Sequence, residues 1–364
     1  MNSYRVIGLM SGSSLDGLDI AYCEFAEEEG SWSFKILQTA VVAFSAEGIQ
    51  RIKSLPTSSA KEIAQAHSSL GNYFGNCVHE FIQKNSLQNK VDFIASHGHT
   101  IFHFPQKGFT TQIGDGAAIA AQTNLAVVCD FRSADIANDG QGTPIVPIGD
   151  QLLFADYKFC LNIGGIANIS CKTETGIVAF DICAANQVLN FLANTFDKEY
   201  DARGEIASRG KLDADLFTKL NAVNFYSQPF PKSLDNSFSR EIILPILDES
   251  PISAEDKMRT YVEHIAFQIA NHIQRIIKKE KISLSPEDKI LITGGGAFNT
   301  FLVQRIKAQT KLTIEIPNEE LVKFKEALVI AFMGVLRKRN EVNVLKSVTG
   351  ARKDTVGGAV YLPT

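Results

Sequence analysis

The spacing of hydrophobic and polar positions changes period repeatedly along the chain, and the changes predict alternating strands and helices. Residues 6–10 are apolar, 11–17 are small and polar, and 19–25 return to small, aromatic and apolar types, which predicts strand, turn, strand. Residues 60–84 carry helical periodicity, while 91–95 and 125–129 are short apolar runs of buried-strand type ending in polar residues. The same sequence of patterns then recurs. Residues 158–170 are β-rich, 177–180 form a further strand, and a helix is expected from about Asn186. Residues 261–278 read as the clearest helix, with Val262, Ile265, Ala266, Ile269, Ile273 and Ile276 on one stripe. A buried strand at 289–293 runs into a Gly-rich loop at 294–299 and a helix at 300–308, and the Pro-bearing stretches 141–147 and 228–232 read as hinge or surface loops.

This alternation argues for an α/β protein. At 364 residues the chain is long enough for two domains, expected at 1–130 plus 345–364 and at 131–344. Thirty-six basic and 40 acidic residues are interspersed, which removes the basic face that nucleic acid would need. The longest apolar block, 327–336, is flanked by Glu326 and Arg337 and falls well short of the roughly 20 residues that cross a bilayer. The N-terminal residues lack the cleavage pattern of a signal peptide, and the six cysteines are scattered without framework or metal-ligand spacing. A reducing cytoplasm is the expected compartment.

Three Gly-rich loops are candidates for chemistry. The first, Gly12 to Asp19, has neither the Lys-Ser/Thr ending of a P-loop nor the following helix of a dinucleotide fold. Its backbone N–H groups and the Ser11, Ser13 and Ser14 hydroxyls suit phosphate. Asp16 and Asp19 make sense beside an anion if Mg²⁺ lies between; an ordinary hairpin is the alternative. The second, Gly164-Gly165, taken alone suits a tight hairpin turn better than a ligand loop. The third, Gly294-Gly295-Gly296 through Asn299, sets a flat floor before a helix N-terminus, where nucleotides bind.

The segments Gly8-Leu-Met-Ser-Gly-Ser-Ser-Leu-Asp-Gly-Leu-Asp19, Ser96-His-Gly-His-Thr100, Asp130-Phe-Arg-Ser-Ala-Asp135, Leu161-Asn-Ile-Gly-Gly-Ile-Ala-Asn168, Phe180-Asp181, Thr293-Gly-Gly-Gly-Ala297 and Ser347-Val-Thr-Gly-Ala351 occur in this order. Together they resemble the motif series of the anhydro-N-acetylmuramic acid kinases, from end to end. That family belongs to the sugar kinase, Hsp70 and actin superfamily. The resemblance therefore implies a two-domain actin-like ATPase fold with ATP in an interdomain cleft, held by Gly12, Ser13, Ser14, Leu15, Asp16, Gly17, Leu18, Asp19, Gly164, Gly165, Gly294, Gly295, Gly296 and Asn299, with Mg²⁺. It implies hydrolytic opening of 1,6-anhydro-N-acetylmuramic acid and phosphorylation of O6, in cell-wall recycling. Asp181 matches the general base, and His97, Thr100, Arg132 and Asn186 match substrate contacts, with Arg132 suited to the lactyl carboxylate. Homodimers are common among such enzymes, though no interface can be drawn.

Read from the residues alone, Asp181 is equally a helix cap and Arg132 equally a surface partner of Asp130 or Asp135. His97, His99 and His103 form a spacing that a metal could use, but no further ligand follows. The chain departs from the family pattern at Ser13, at His99, at Asp139, and at Ile182-Cys183-Ala184-Ala185, where family members carry glycines beside the base. That last departure leaves two rivals open. One is a conventional amino-sugar kinase; the other is a non-catalytic, nucleotide-dependent muropeptide sensor.

Overall fold

The computed structural model describes residues 2–12, 15–174, 176–235 and 237–363. The chain divides into two compact units, Met1–Leu153 with Phe324–Thr364, and Phe154–Lys323.

In the first unit the strands are β1 (Asn2–Met10), β2 (Leu18–Glu28), β3 (Ser31–Val42), β4 (Phe93–Ser96), β5 (His99–Phe104), β6 (Phe109–Ile113) and β7 (Val127–Cys129). β1, β2 and β3 pair antiparallel, and β1, β4 and β7 continue the sheet in parallel, with the C-terminal strand Ala359–Tyr361 on the β7 edge. β5 and β6 form a separate hairpin. The helix α1 (Ala60–Lys84) starts with a capping box. Ser59 Oγ accepts from the Glu62 N–H at 3.3 Å, and the Glu62 carboxylate accepts from the Ser59 N–H at 2.8 Å. Its buried Phe74, Val78 and Phe81 pack with Ile7, Leu9, Ile20 and Ile94 of the sheet.

In the second unit β8 (Phe159–Ile163), β9 (Ile166–Thr173) and β10 (Gly176–Ala184) pair antiparallel, and β11 (Lys289–Thr293) and β12 (Thr313–Glu315) extend β8 in parallel. Its helices include α2 (Asn186–Asn194), α3 (Ala254–Lys279) and α4 (Thr300–Thr310), and α5 (Glu319–Lys338) contains the second boundary. The expected apolar stripe of α3 is fully buried, from Tyr261 to Ile276.

The recurrence in the sequence is thus a recurrence of topology. Each unit has an antiparallel three-strand meander whose first strand continues into two parallel strands. The division differs from the expected cuts at 130/131 and 344/345. Phe131, Ile136, Ile145 and Ile148 are buried, and buried Asp135 accepts the Thr349 hydroxyl at 2.7 Å, so residues 131–153 stay with the first unit. The α5 segment after Phe324 does so too: a side chain on Gly8 would strike the Ala327 carbonyl, and one on Gly334 would lie 2.7 Å from Ala95. Each such fully buried Ile or Phe contributes about 1.5 to 3 kcal/mol, more than an exposed ion pair such as Lys219–Asp215.

Candidate functional site

In the first unit the chain leaves β1 into the Ser-Gly loop and returns on β2. Gly17 is required here, because a Cβ would lie 2.6 Å from the Val42 carbonyl. Ser13 and Ser14 lie outside the described residues. Leu15 and Leu18 are buried side chains, so a ligand meets only their main chain. Asp19, paired in register with Met10, has its carboxyl raised to about 6, first by burial, then by the charges of Asp16 and Glu326. Glu326 retains solvent access, yet the surrounding protein pushes its carboxyl up while Arg132 draws it down. Three carboxylates and one guanidinium therefore share this end of the unit. The sequence reading missed Glu326, whose only signal was a carboxylate heading a long apolar run.

Arg132 does not pair with Asp130 or Asp135. Asp130 accepts from Ser133, and Asp135 is buried under Gly142 and Thr349. Instead the guanidinium donates to His97 Nε2 at 3.0 and 2.9 Å and to the Gly142 carbonyl at 2.6 Å. His97 Nδ1 lies 3.0 Å from the Gly98 carbonyl, which can only accept. Both ring nitrogens are thus engaged inside the protein and the imidazole is the neutral Nδ1–H form. His99 Nδ1 meets Ser11 Oγ at 3.0 Å, and His103 Nδ1 meets Thr110 Oγ1 at 3.1 Å, so the three histidines turn to three different partners. Among the described residues no group of three His, Cys, Asp or Glu could hold a metal. Thr100 accepts from Gln112 at 3.1 Å on the β5–β6 hairpin. A cavity of about 220 Å³ opens here, lined by His97, Gly98, Gln112, Asp130 and Ser133 among others.

In the second unit Asp181 was expected at a strand end, but β10 runs on to Ala184 and carries a bulge between Asp181 and Cys183. A bulge re-aims the side chain beside it. The Asp181 N–H donates to the Lys232 carbonyl at 3.0 Å, and its carboxylate accepts from the Leu234 N–H at 2.9 Å. Burial pushes its carboxyl up, and the Leu234 hydrogen bond draws it partly back. The helix-cap alternative is not adopted. The α2 N–H groups of Asn186 and Gln187, with that of Ala185, donate to the carbonyls of Gly164 and Gly165. The departure at Cys183-Ala184-Ala185 has a packing reason: all three are fully buried, none has a positive φ, and Tyr261 donates to the Ala184 carbonyl at 3.0 Å.

The Gly164-Gly165 turn is thus the hairpin connection of β8 and β9 and also the cap of α2. In the third loop Gly294 has φ +79, and a Cβ there would lie 2.7 Å from Asn162 Oδ1 and from the Ile163 carbonyl. A side chain on Gly296 would strike Ile163, whereas Gly295 has only Asn186 Nδ2 nearby, at 3.6 Å. Asn299 caps α4, accepting from the Leu302 N–H at 3.0 Å. A cavity of about 490 Å³ opens over Gly295, lined by Asn186, Asn299, Tyr200, Arg203 and Lys323 among others. That volume suits a ligand of nucleotide size. Asn186 lies beside Gly295 and Asn299 in the second unit. Tyr200, Arg203 and Lys323 were missed; exposed Tyr200 in a polar stretch was the available signal.

No helix among the described residues is long and apolar enough to cross a membrane. Residues 4–363 match the family model described as anhydro-N-acetylmuramic acid kinase. The Sulfurovum sp. (strain NBC37-1) protein of that name is 32% identical over 373 residues, covering 100% of both chains. Its namesake from Shewanella sediminis (strain HAW-EB3) is 31% identical, covering 99% of each. Among solved structures, Plasmodium falciparum glycerol kinase with ADP is similar at 9% identity, covering 92% of this chain and 90% of that one, with a TM-score of 0.45. With a family match running over nearly its whole length, this chain belongs to the anhydro-N-acetylmuramic acid kinase family and is a carbohydrate kinase of α/β class.

Proposed function

We propose that the chain uses ATP to open 1,6-anhydro-N-acetylmuramic acid with water and to phosphorylate it, giving N-acetylmuramic acid 6-phosphate in cell-wall recycling. The observation that carries this reading is Asp181: a carboxylate on a bulged strand, held by two backbone hydrogen bonds, raised by burial, and not used as a helix cap. Asp181 takes a proton from water as the water oxygen bonds to C1. The C1–O6 bond breaks, O6 takes the γ-phosphoryl group, and ADP leaves. A positioned base contributes about 10² to 10⁴ in rate, or roughly 3 to 5 kcal/mol. A raised carboxyl is a better proton acceptor than a solvent-exposed one.

The larger cavity takes the nucleotide, with the amides around Gly295 and the cations Arg203 and Lys323 suited to phosphate and ribose. Arg132, pre-set by His97 and Gly142, takes the lactyl carboxylate, with Thr100 as a hydroxyl contact. Asp19, raised to about 6 by burial and then by the charges of Asp16 and Glu326, belongs to a group of carboxylate oxygens whose chemistry fits a hard divalent ion. Asp16 and Asp19 would hold Mg²⁺, which when bound neutralises phosphate charge. Six cysteines, all free, support a reducing cytoplasm as its compartment.

The test is ADP release and product mass with Mg-ATP and the anhydro sugar, run beside N-acetylmuramic acid, in H₂¹⁸O. Label at C1 of a 6-phosphate formed only from the anhydro sugar is expected. Phosphorylation of the open sugar alone would make this a conventional amino-sugar kinase. Ligand-induced stabilisation with no ADP from either sugar would make it a sensor.

A further inference from the structure

Asp181 is held by a strap, residues 225–234, whose backbone carbonyls are fastened by three cations. Lys232 is buried; its Nζ donates to the Phe225 carbonyl at 2.8 Å and the Tyr226 carbonyl at 3.4 Å and sits 4.2 Å over the Phe225 ring. From α3, Arg275 donates to the carbonyls of Tyr226, Ser227 and Gln228, and Lys279 donates to that of Phe230. Phe230 in turn stacks on Phe180, the residue before Asp181, with centroids 4.7 Å apart and planes 8° from parallel. Among the described residues no carboxylate forms an ion pair with any of the three cations. Backbone carbonyls take their place.

We propose that Lys232 is a positioning residue for Asp181. Its ammonium joins the two ends of the strap, so that the Lys232 carbonyl and the Leu234 N–H grip Asp181 from a fixed backbone. A single direction for the carboxylate follows, and misplacement by about 1 Å costs on the order of 10² in rate. The inference rests on Asp181 being the base.

The experiment compares Lys232→Met, Asp181→Asn and the double variant by single-turnover ADP release with Mg-ATP and the anhydro sugar, after a thermal melt of each. Lys232→Met is expected to lower kcat about ten- to a hundredfold while KM for ATP stays within about twofold. On the Asp181→Asn background the same change is expected to cost less than about twofold, because the two residues act as one unit. Wild-type kcat in Lys232→Met, or a further tenfold loss in the double variant, would overturn the proposal. Wild-type turnover in Asp181→Asn alone would instead overturn the base. Should Lys232→Met not fold, Arg275→Met loosens the same strap from α3, and an unchanged kcat there overturns the proposal equally.

Discussion

Arg132 donates its Nε proton to Nε2 of His97 at 3.0 Å, and His97 faces the Gly98 carbonyl with its other nitrogen. A guanidinium flanked in sequence by Asp130 and Asp135 thus has a neutral imidazole as its neighbour. Its positive charge is felt by Glu326 but is taken up by neither aspartate.

Burial, and then the Arg132 charge, lower His97 to about 3, so it stays neutral at every pH where the protein works. The unfolded chain binds a proton below about 6.5 while the folded chain does not until about 3, so stability is lost as pH falls between those values. Urea midpoints of the wild type and His97→Gln from pH 6.5 to 4 are expected to diverge, the wild type losing about 1.4 kcal/mol per pH unit more. Parallel curves would mean that His97 is protonated in the folded state.

Asp19 has the opposite sign. A carboxyl raised to about 6 binds its proton more tightly folded than unfolded, so its contribution is present below about 4 and is lost as pH rises through about 6. Asp19→Asn is therefore expected to stabilise the ligand-free protein by about 1 to 2 kcal/mol at pH 7.5 and to do little at pH 4. Turnover should fall at least tenfold if Asp19 serves the metal. A melting temperature that does not rise at pH 7.5 would contradict the charge crowding.

Adjacent glycines separate stability from binding. Gly294→Ala places a side chain at positive φ against Asn162 and Ile163, and is expected to cost about 1 to 3 kcal/mol, read as a lower urea midpoint. Gly295→Ala meets only Asn186 at 3.6 Å and should leave the midpoint unchanged while raising KM for ATP. Equal effects of the two would remove the assignment of that cavity to the nucleotide.

Asp181→Asn is expected to lower kcat by about 10² to 10⁴ while nearly preserving ATP affinity, measured by calorimetry beside the assay. Wild-type turnover would dismiss it as the base.

Much of the fold was legible because strands and helices advertise their period locally. The helix expected at 60–84 and the strand at 289–293 occur with those bounds, and the repeated pattern proved to be a repeated topology. Where local reading fell short, a distant partner had intervened. β10 runs past Phe180 because β9 supplies register partners as far as Ala184, and the first unit keeps residues 131–153 because Thr349 and Gln141 meet across more than 200 residues of chain. Among the candidate residues, Gly295 and Asn299 were legible as Gly and polar positions following a strand, and Asp181 as a polar residue of a β-rich stretch whose strand runs further than expected. Arg203 and Lys323 were not, and the weak signals at Glu326 and Tyr200, a carboxylate heading an apolar run and a tyrosine in a polar stretch, do not record what those residues face.

By itself the sequence determined the α/β class, the family through its ordered motifs, and the positions of the three Gly-rich loops. Those are properties of spacing along one dimension. Only the tertiary structure decided that Arg132 meets His97 rather than Asp130, that Asn186 stands with Gly295, and that Asp181 answers to Lys232 and Leu234 instead of capping a helix. Each of those outcomes is a competition among several polar groups for one partner, and burial and backbone direction, which the folded chain alone possesses, select the winner.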